Sequence, residues 1–249
     1  MVAFKDHFSD RAAGYAAHRP TYPLALVDYL SSVAPAHSLA WDCGCGSGQL
    51  STLLARAFDR VVATDASAEQ IAAAEAADRV VYRVAPAEAS GLPDASVDLV
   101  TVAQAAHWFD LPAFYAEVRR VGRAGSAIAL VTYGILEVEP EIDRVIKPFY
   151  FETLKGYWPP ERAHVEDGYR ALDFPFAELS PPALDIQVEW RLSDLTGYVE
   201  TWSAVRALEK ARGKEPTQAL FADLARVWGH PEAPRSVRWP LSLRIGRMA

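Results

Sequence analysis

The sequence predicts an α/β fold: a doubly wound, three-layer sandwich on a mostly parallel sheet of about seven strands, with an antiparallel edge hairpin and an insertion after the fifth strand. Three observations carry this. Short β-branched runs alternate with helix-like stretches as far as Thr132. Alternation of period two returns near the C-terminus in two late runs. The length of 249 residues, 51% of them apolar and 23% charged, fits one large domain that buries a full core, residues 1–249.

Taken in order, residues 4–20 have helical composition ending at Pro20, and residues 24–33 place Leu24, Val27, Leu30 and Val33 at helical spacing. Together they predict an N-terminal cap over residues 1–36. The runs 39–42, 60–64, 80–84, 97–102 and 127–132 read as strands, and 47–58, 68–77 and 111–121 as the helices between them. Strand–helix–strand repeats of this length give parallel pairs with right-handed crossovers, so helices cover both faces of the sheet. Residues 134–183 break the rhythm. They hold 7 of the 17 prolines, and eight aromatics fall between Phe149 and Phe176. Then come a strand over 184–192, helices over 193–211 and 215–228, and a last alternating strand over 237–245. Pro240 confines that strand to an edge or a bulge, because proline cannot donate to a ladder.

Charge narrows the partners. The 25 Lys+Arg against 32 Asp+Glu leave a net −7, which disfavours an electrostatic grip on nucleic acid or on an anionic membrane. No stretch approaches 18 uncharged apolar residues, and residues 1–7 have none of the regions of a secretory signal, so the cytoplasm is the expected address. Cys43 and Cys45 are too close in sequence for an unstrained disulfide and have no further ligands for a metal, so they read as small residues of a tight turn. No pair of histidines has metal-ligand spacing, and no metal site is expected.

The strongest motif runs from Trp41 to Gly48 (WDCGCGSG), at the end of the first predicted strand and the start of a helix. Gly44, Gly46 and Gly48 let the backbone approach a ligand closely and expose amide N–H groups at a helix N-terminus. Asp65 ends the next predicted strand, at the interval from which a carboxylate reaches ribose hydroxyls in nucleotide-type sites. Asp42 decides the ligand. A carboxylate before the glycines would repel a pyrophosphate but attract an ammonium group. S-adenosylmethionine meets these demands: it has adenosine for Asp65, an amino acid moiety for Asp42, and no phosphate.

On these residues the sequence resembles the class I S-adenosylmethionine-dependent methyltransferases, whose D-x-G-x-G-x-G motif matches Asp42 to Gly48 and whose ribose-binding acid matches Asp65. Phe8 to Tyr15 (FSDRAAGY), Arg19 to Pro23 (RPTYP) and Ala103 to Asp110 (AQAAHWFD) resemble the small-molecule branch that includes trans-aconitate methyltransferases. The resemblance implies a Rossmann-like domain with its site at the carboxyl ends of the strands. It also implies roles. Tyr15 and Arg19 would meet the methionine carboxylate. Ala66 and Gln70 would pack near the adenine, with Ala87 and Glu88 in the adenine-binding turn. Gln104 and Ala105 would line the methionine part, and His107 and Trp108 the mouth of the substrate site. Where the family commonly carries a Pro-Gly-Gly turn, this chain has Val121 to Ser126 (VGRAGS).

The implied reaction moves the sulfonium methyl in line onto a small-molecule acceptor, a carboxylate being one candidate, in a monomer or homodimer. Alignment and exclusion of water supply most of the acceleration, with Trp108, Tyr133, Tyr157 and Trp158 as aromatic walls. A hydroxyl or amine acceptor would need a base, and His107 is the best placed. The competing readings are a non-catalytic S-adenosylmethionine-binding protein, an NAD(P)-linked oxidoreductase, which Asp42 disfavours, and methylation of RNA or DNA, which the acidic charge disfavours.

Overall fold

The computed structural model describes residues 20–248; Tyr15, Arg19 and all but Pro20 of the first predicted helix lie outside the described residues. The first described helix is α1 (Leu24–Val33). Then follow β1 (Leu39–Cys43), α2 (Gln49–Leu54), β2 (Arg60–Asp65), α3 (Ala68–Ala72), β3 (Val80–Val84), β4 (Val97–Ala103), α4 (Leu111–Val121) and β5 (Gly122–Thr132). The main sheet has seven strands in the order β3-β2-β1-β4-β5-β9-β6. Its first five are parallel, and β9 (Ser242–Arg247) is antiparallel to both β5 and the short β6 (Ala177–Glu178).

Period-two side chains divide this sheet between two cores. On β5, Ala127, Ala129 and Val131 face one core with Leu26, Leu54 and Phe58. Ile128 and Leu130 face the other, with Trp41, Val100, Phe114 and Val118. The strand order reverses between β1 and β4. In an open parallel sheet that reversal opens a crevice at the carboxyl ends of the strands.

The region from Gly134 to Leu184 joins both cores. Its helix α5 (Pro140–Pro148) buries Ile142 and Ile146, and the wider π turn that continues it, Phe149–Thr153, buries Phe149 and Tyr150, all against the first core. After α6 (Arg162–Glu166), Tyr169, Leu172 and Phe174 join the second core. The insertion therefore crosses the top of the sheet from one layer to the other.

Three expectations differ in detail. The helix expected over 193–211 is two helices, α7 (Leu192–Glu200) and α8 (Ser203–Arg212), because Trp202 takes an extended conformation and buries its ring among Tyr150, Trp158 and Tyr198. Packing of one large ring outweighs the local helix preference there. The strand expected over 237–245 divides at Pro240. β8 (Arg235–Pro240) pairs with β7 (Asp185–Trp190) in a separate two-stranded antiparallel sheet, and β9 returns to the main sheet. This antiparallel pair stands off the main sheet, in which β9 is the long antiparallel strand. The helices after β1 and β2 are shorter than 47–58 and 68–77. Helix α9 (Glu215–Trp228) matches its expected range. At Val121 to Ser126, β5 begins with Gly125 at φ 76° and a bulge in its register with β4. Among the described residues no helix is long and apolar enough to cross a membrane.

Candidate functional site

The glycine loop forms because β1 and β2 end side by side and the chain must turn at once into α2. Gly44 and Cys45 both donate their N–H to the Thr64 carbonyl, at 2.7 and 3.0 Å, which folds the loop over the end of β2. All three glycines have positive φ, 67°, 55° and 88°. The outer two are also fixed by close approach. A Cβ on Gly44 would lie 2.6 Å from Ala105 Cβ, and one on Gly48 would lie 2.3 Å from the Tyr82 hydroxyl. Gly46 differs: a Cβ there would meet only Gln70 Oε1, at 3.7 Å. Its open side is the cradle of the loop.

Asp65 closes that cradle from β2. One carboxylate oxygen accepts the Gly46 N–H and the other the Ser67 N–H, each at 2.8 Å. Burial pushes its carboxyl up from the usual range, and these two backbone donors pull it back. Gln70, on α3, is buried beside Gly46, while Ala66 stands exposed at the rim. Ala87 is buried, and Glu88 is half-buried with its carboxylate accepting the Asp110 N–H at 3.2 Å.

Asp42 departs from the expected picture. It is 1% exposed. Its two oxygens accept hydroxyl hydrogens from Ser51, at 2.6 Å, and Thr101, at 2.7 Å. Thr101 sits directly opposite Asp42 in the β1–β4 register, which explains the contact. Burial raises this carboxyl to about 6, against the lowering effect of the two hydroxyls. Asp42 therefore acts from beneath the loop through its field and does not present its oxygens at the surface. When ionised, it still makes the floor of the loop hostile to a pyrophosphate and favourable to a cation.

At the end of β4, Gln104 takes a left-handed backbone, φ 59°, in a residue type that pays strain for it. Both ends of its side chain are used: the amide donates to the Tyr133 carbonyl at 3.0 Å and the oxygen accepts from Thr132 Oγ1 at 2.9 Å. This pins Ala105 against Gly44 and turns the next residues, a 3-10 turn over Ala106–Trp108, toward the insertion.

Beyond Gln104 lies a cavity of about 120 Å³ whose walls include His107, Trp108, Tyr133 and Trp158, as expected. Tyr157 is not among them. It is half-buried against the first core, because the chain reverses there through the Tyr157 N–H to Leu154 carbonyl bond. The cavity adds residues the sequence reading missed: Arg162, Tyr198, Trp202 and Arg206. No local pattern marks them, since they meet only when α6, α7 and α8 pack over the strand ends. Thr101 and Ser51 were also missed. For Thr101 the signal was present, a polar residue in a strand that is buried from Val97 through Val102.

His107 lies beside Tyr169, Nδ1 to hydroxyl 2.9 Å, with Trp108 on its other side at 4.7 Å between ring centroids. Burial, and then the charges of Arg162 and His164, lower it from 6.5 to about 3. The ring is neutral at physiological pH, and its conjugate acid is too strong for effective proton abstraction there. The shift makes His107 a weaker base, and its contact with Tyr169 suits it to orienting a bound group.

The comparisons agree with this geometry. A methyltransferase-domain family model matches residues 41–130, from Trp41 through β5. A Dictyostelium discoideum protein named as a methyltransferase is 36% identical over 233 residues, covering 90% of this chain and 87% of its own length. A structure described as a type II methyltransferase, from Anaeromyxobacter dehalogenans, is 51% identical with a TM-score of 0.88, over 92% of this chain and 97% of that one. The malonyl-[acyl-carrier protein] O-methyltransferase of Pectobacterium atrosepticum is 38% identical over 109 residues, 41% of this chain and 42% of its own.

Proposed function

Because the chain belongs to the S-adenosylmethionine-dependent methyltransferases, we propose that it methylates a small molecule admitted to the aromatic cavity beyond Gln104. S-adenosylmethionine, when bound, supplies an electrophilic methyl group on a sulfonium. The chain's own residues do the rest. Gly46 gives the backbone room, Asp65 offers two acceptors to a ribose, and Gln70 with Ala87 and Glu88 flanks the base. Asp42 sets a negative field beneath the loop. Tyr15 and Arg19, outside the described residues, would reach the carboxylate of the methionine part.

One observation carries the acceptor reading: Gln104 and Ala105 touch both compartments. Ala105 closes on Gly44 of the glycine loop, and Gln104 lines the cavity. A cavity of about 120 Å³ walled by rings has room for a small acceptor. Enclosure aligns the acceptor and keeps water out, which can supply on the order of 7 to 11 kcal/mol relative to free encounter. With His107 neutral, the best-matched acceptor reaches the site already ionised.

The test is methyl transfer from labelled S-adenosylmethionine to a metabolite extract, with mass spectrometry of the product. A labelled product below about 500 Da, lost when Trp108 is changed to Ala, supports the reading. Label found only in macromolecules overturns it. Residues 1–23 and the insertion over 134–183 would close over the cofactor, and hydrogen exchange with and without S-adenosylhomocysteine tests that closure: unchanged exchange in both segments would leave them as static packing.

A further inference from the structure

We propose that Tyr169 is a positioning residue for His107: its hydroxyl donates to Nδ1 and fixes the ring as the tautomer that offers Nε2–H to the cavity. What this does to a bound acceptor rests on the aromatic cavity being the acceptor site. Tyr169 belongs to the insertion and His107 to the turn after β4, yet hydroxyl and Nδ1 meet at 2.9 Å.

The direction of that bond follows from what surrounds the Tyr169 oxygen. The side chain is fully buried in the second core. Burial holds the hydroxyl protonated, well above its ordinary range, against the pull of the Thr132 hydroxyl, Arg162 and the Ala106 and His107 amides. Amides can only donate, and the Thr132 hydroxyl gives its own hydrogen to Gln104 Oε1 at 2.9 Å. The Tyr169 oxygen is therefore well supplied with donors, and His107 Nδ1 is the acceptor within bonding geometry of its hydrogen. Were Nδ1 the donor, the oxygen would face one more N–H and the buried hydroxyl would lose that acceptor. A neutral imidazole carries a single N–H, so with Nδ1 accepting, the proton sits on Nε2.

The turn that delivers the hydroxyl is braced from the main sheet. Tyr169 takes a left-handed backbone, φ 65°, which persists in a residue with a side chain only where the surroundings hold it. Its N–H donates to the His164 carbonyl at 2.8 Å, and its carbonyl accepts from Nη1 of Arg244, on β9, at 2.9 Å. A Cβ on Gly168 would lie 2.6 Å from Ser242 Oγ, also on β9. The His107 ring in turn contacts both Tyr169 and Trp108, with centroids 5.8 and 4.7 Å away.

The second nitrogen of the ring is left for a ligand. Nε2 makes no hydrogen bond with a described residue and is not sealed from solvent, and His107 and Gln104 both line the cavity. Burial, and then Arg162 and His164, keep the ring neutral. In this tautomer the atom offered to the cavity gives a hydrogen bond and takes no proton. An acceptor is thus oriented by a lone pair, on oxygen or nitrogen, set against Nε2–H. A molecule that presents only hydrogens there leaves the donor unpaired.

The test is a two-bond proton–nitrogen correlation spectrum of the protein carrying 15N-labelled histidine, at neutral pH, with His107 assigned by the signals lost in His107→Gln. The expected result is one neutral tautomer protonated on Nε2, giving way to a mixture in Tyr169→Phe, while S-adenosylhomocysteine affinity stays within about twofold of the parent. Acetophenone and isopropenylbenzene have the same shape and exchange a carbonyl oxygen for a CH2 group. Acetophenone alone should shift the Nε2 signal, and Tyr169→Phe should weaken its binding about fivefold. A parent ring protonated on Nδ1 overturns the proposal whether or not the variant folds, and so does a tautomer unchanged in Tyr169→Phe. A fixed Nε2 tautomer that neither probe shifts upholds Tyr169 as its cause and removes the acceptor reading of the cavity.

Discussion

The glycine-loop crevice and the aromatic cavity meet at Gln104, but they are made of different materials. The crevice comes from one strand–helix–strand stretch, Asp42 to Asp65, and works mainly through backbone: three glycines at positive φ, two N–H groups turned to Thr64, and one carboxylate holding the loop amide. The cavity comes from four segments far apart in the chain, and works through side chains: rings, a neutral histidine and two arginines. The difference teaches where change is tolerated. A backbone device fails where an added Cβ has no room, as at Gly44 and Gly48, whereas a side-chain pocket can be re-lined one residue at a time.

The largest expected effect tests the backbone side of that contrast. Gly48→Ala would force a Cβ to 2.3 Å from the Tyr82 hydroxyl at φ 88°, and strain plus overpacking should cost about 3 to 4 kcal/mol in urea denaturation, with cofactor binding lost. Tyr82→Phe should recover only part of that loss, because its ring carbons also crowd Gly48. Alone, Tyr82→Phe should be neutral or stabilising, since the hydroxyl is buried with no partner among the described residues. A stable Gly48→Ala protein that binds S-adenosylhomocysteine normally would dissolve the contrast.

Next comes the buried acid beneath the loop. Asp42 is raised from 3.8 to about 6, so the folded protein holds its proton more tightly than the unfolded chain. Its contribution to stability is complete below pH 3.8 and is lost as pH rises through 6, about 3 kcal/mol in all. Asp42→Asn keeps two hydroxyl partners and cannot ionise. Relative to that variant, the parent should therefore lose about 2.4 kcal/mol between pH 4 and pH 7, measured by denaturation at each pH; parallel curves would show that Asp42 titrates normally.

Asp65→Ala removes the acceptors proposed for the ribose and frees the Gly46 amide. Calorimetry with S-adenosylhomocysteine should show about 1.5 to 3 kcal/mol of lost affinity, roughly ten- to hundredfold. The smallest effects belong to the cavity. His107→Gln should lower kcat less than tenfold, and the parent's pH profile should show no step near 6.5 that disappears in the variant, because His107 is lowered to about 3. A hundredfold loss with such a step would restore the histidine as the base.

Much of this was legible in the sequence because it is local. The alternation of short apolar runs with helical stretches foretold β1 to β4 to within a residue at each end and the buried half of β5, whose first five residues from Gly122 it missed, and Gly44, Gly46, Gly48 and Asp65 announced the crevice by spacing alone. Gly44 and Gly48 combine a positive φ with no room for a Cβ, so composition and conformation coincide there. Other features had no local signature. Trp202 broke a helix because its ring found three aromatic partners, and Pro240 sent one run into two sheets. Asp42 went inward because Ser51 and Thr101 were waiting on neighbouring elements.

The sequence by itself therefore determined the sheet, its winding and the glycine loop, since hydrophobic period and backbone sterics act between near neighbours. Only the tertiary structure decided that Arg162 and Arg206 share one cavity, that Tyr157 does not, and that His107 is neutral. Those properties depend on burial and on the field of distant charges, and both exist only after α6, α7 and α8 have packed across the strand ends.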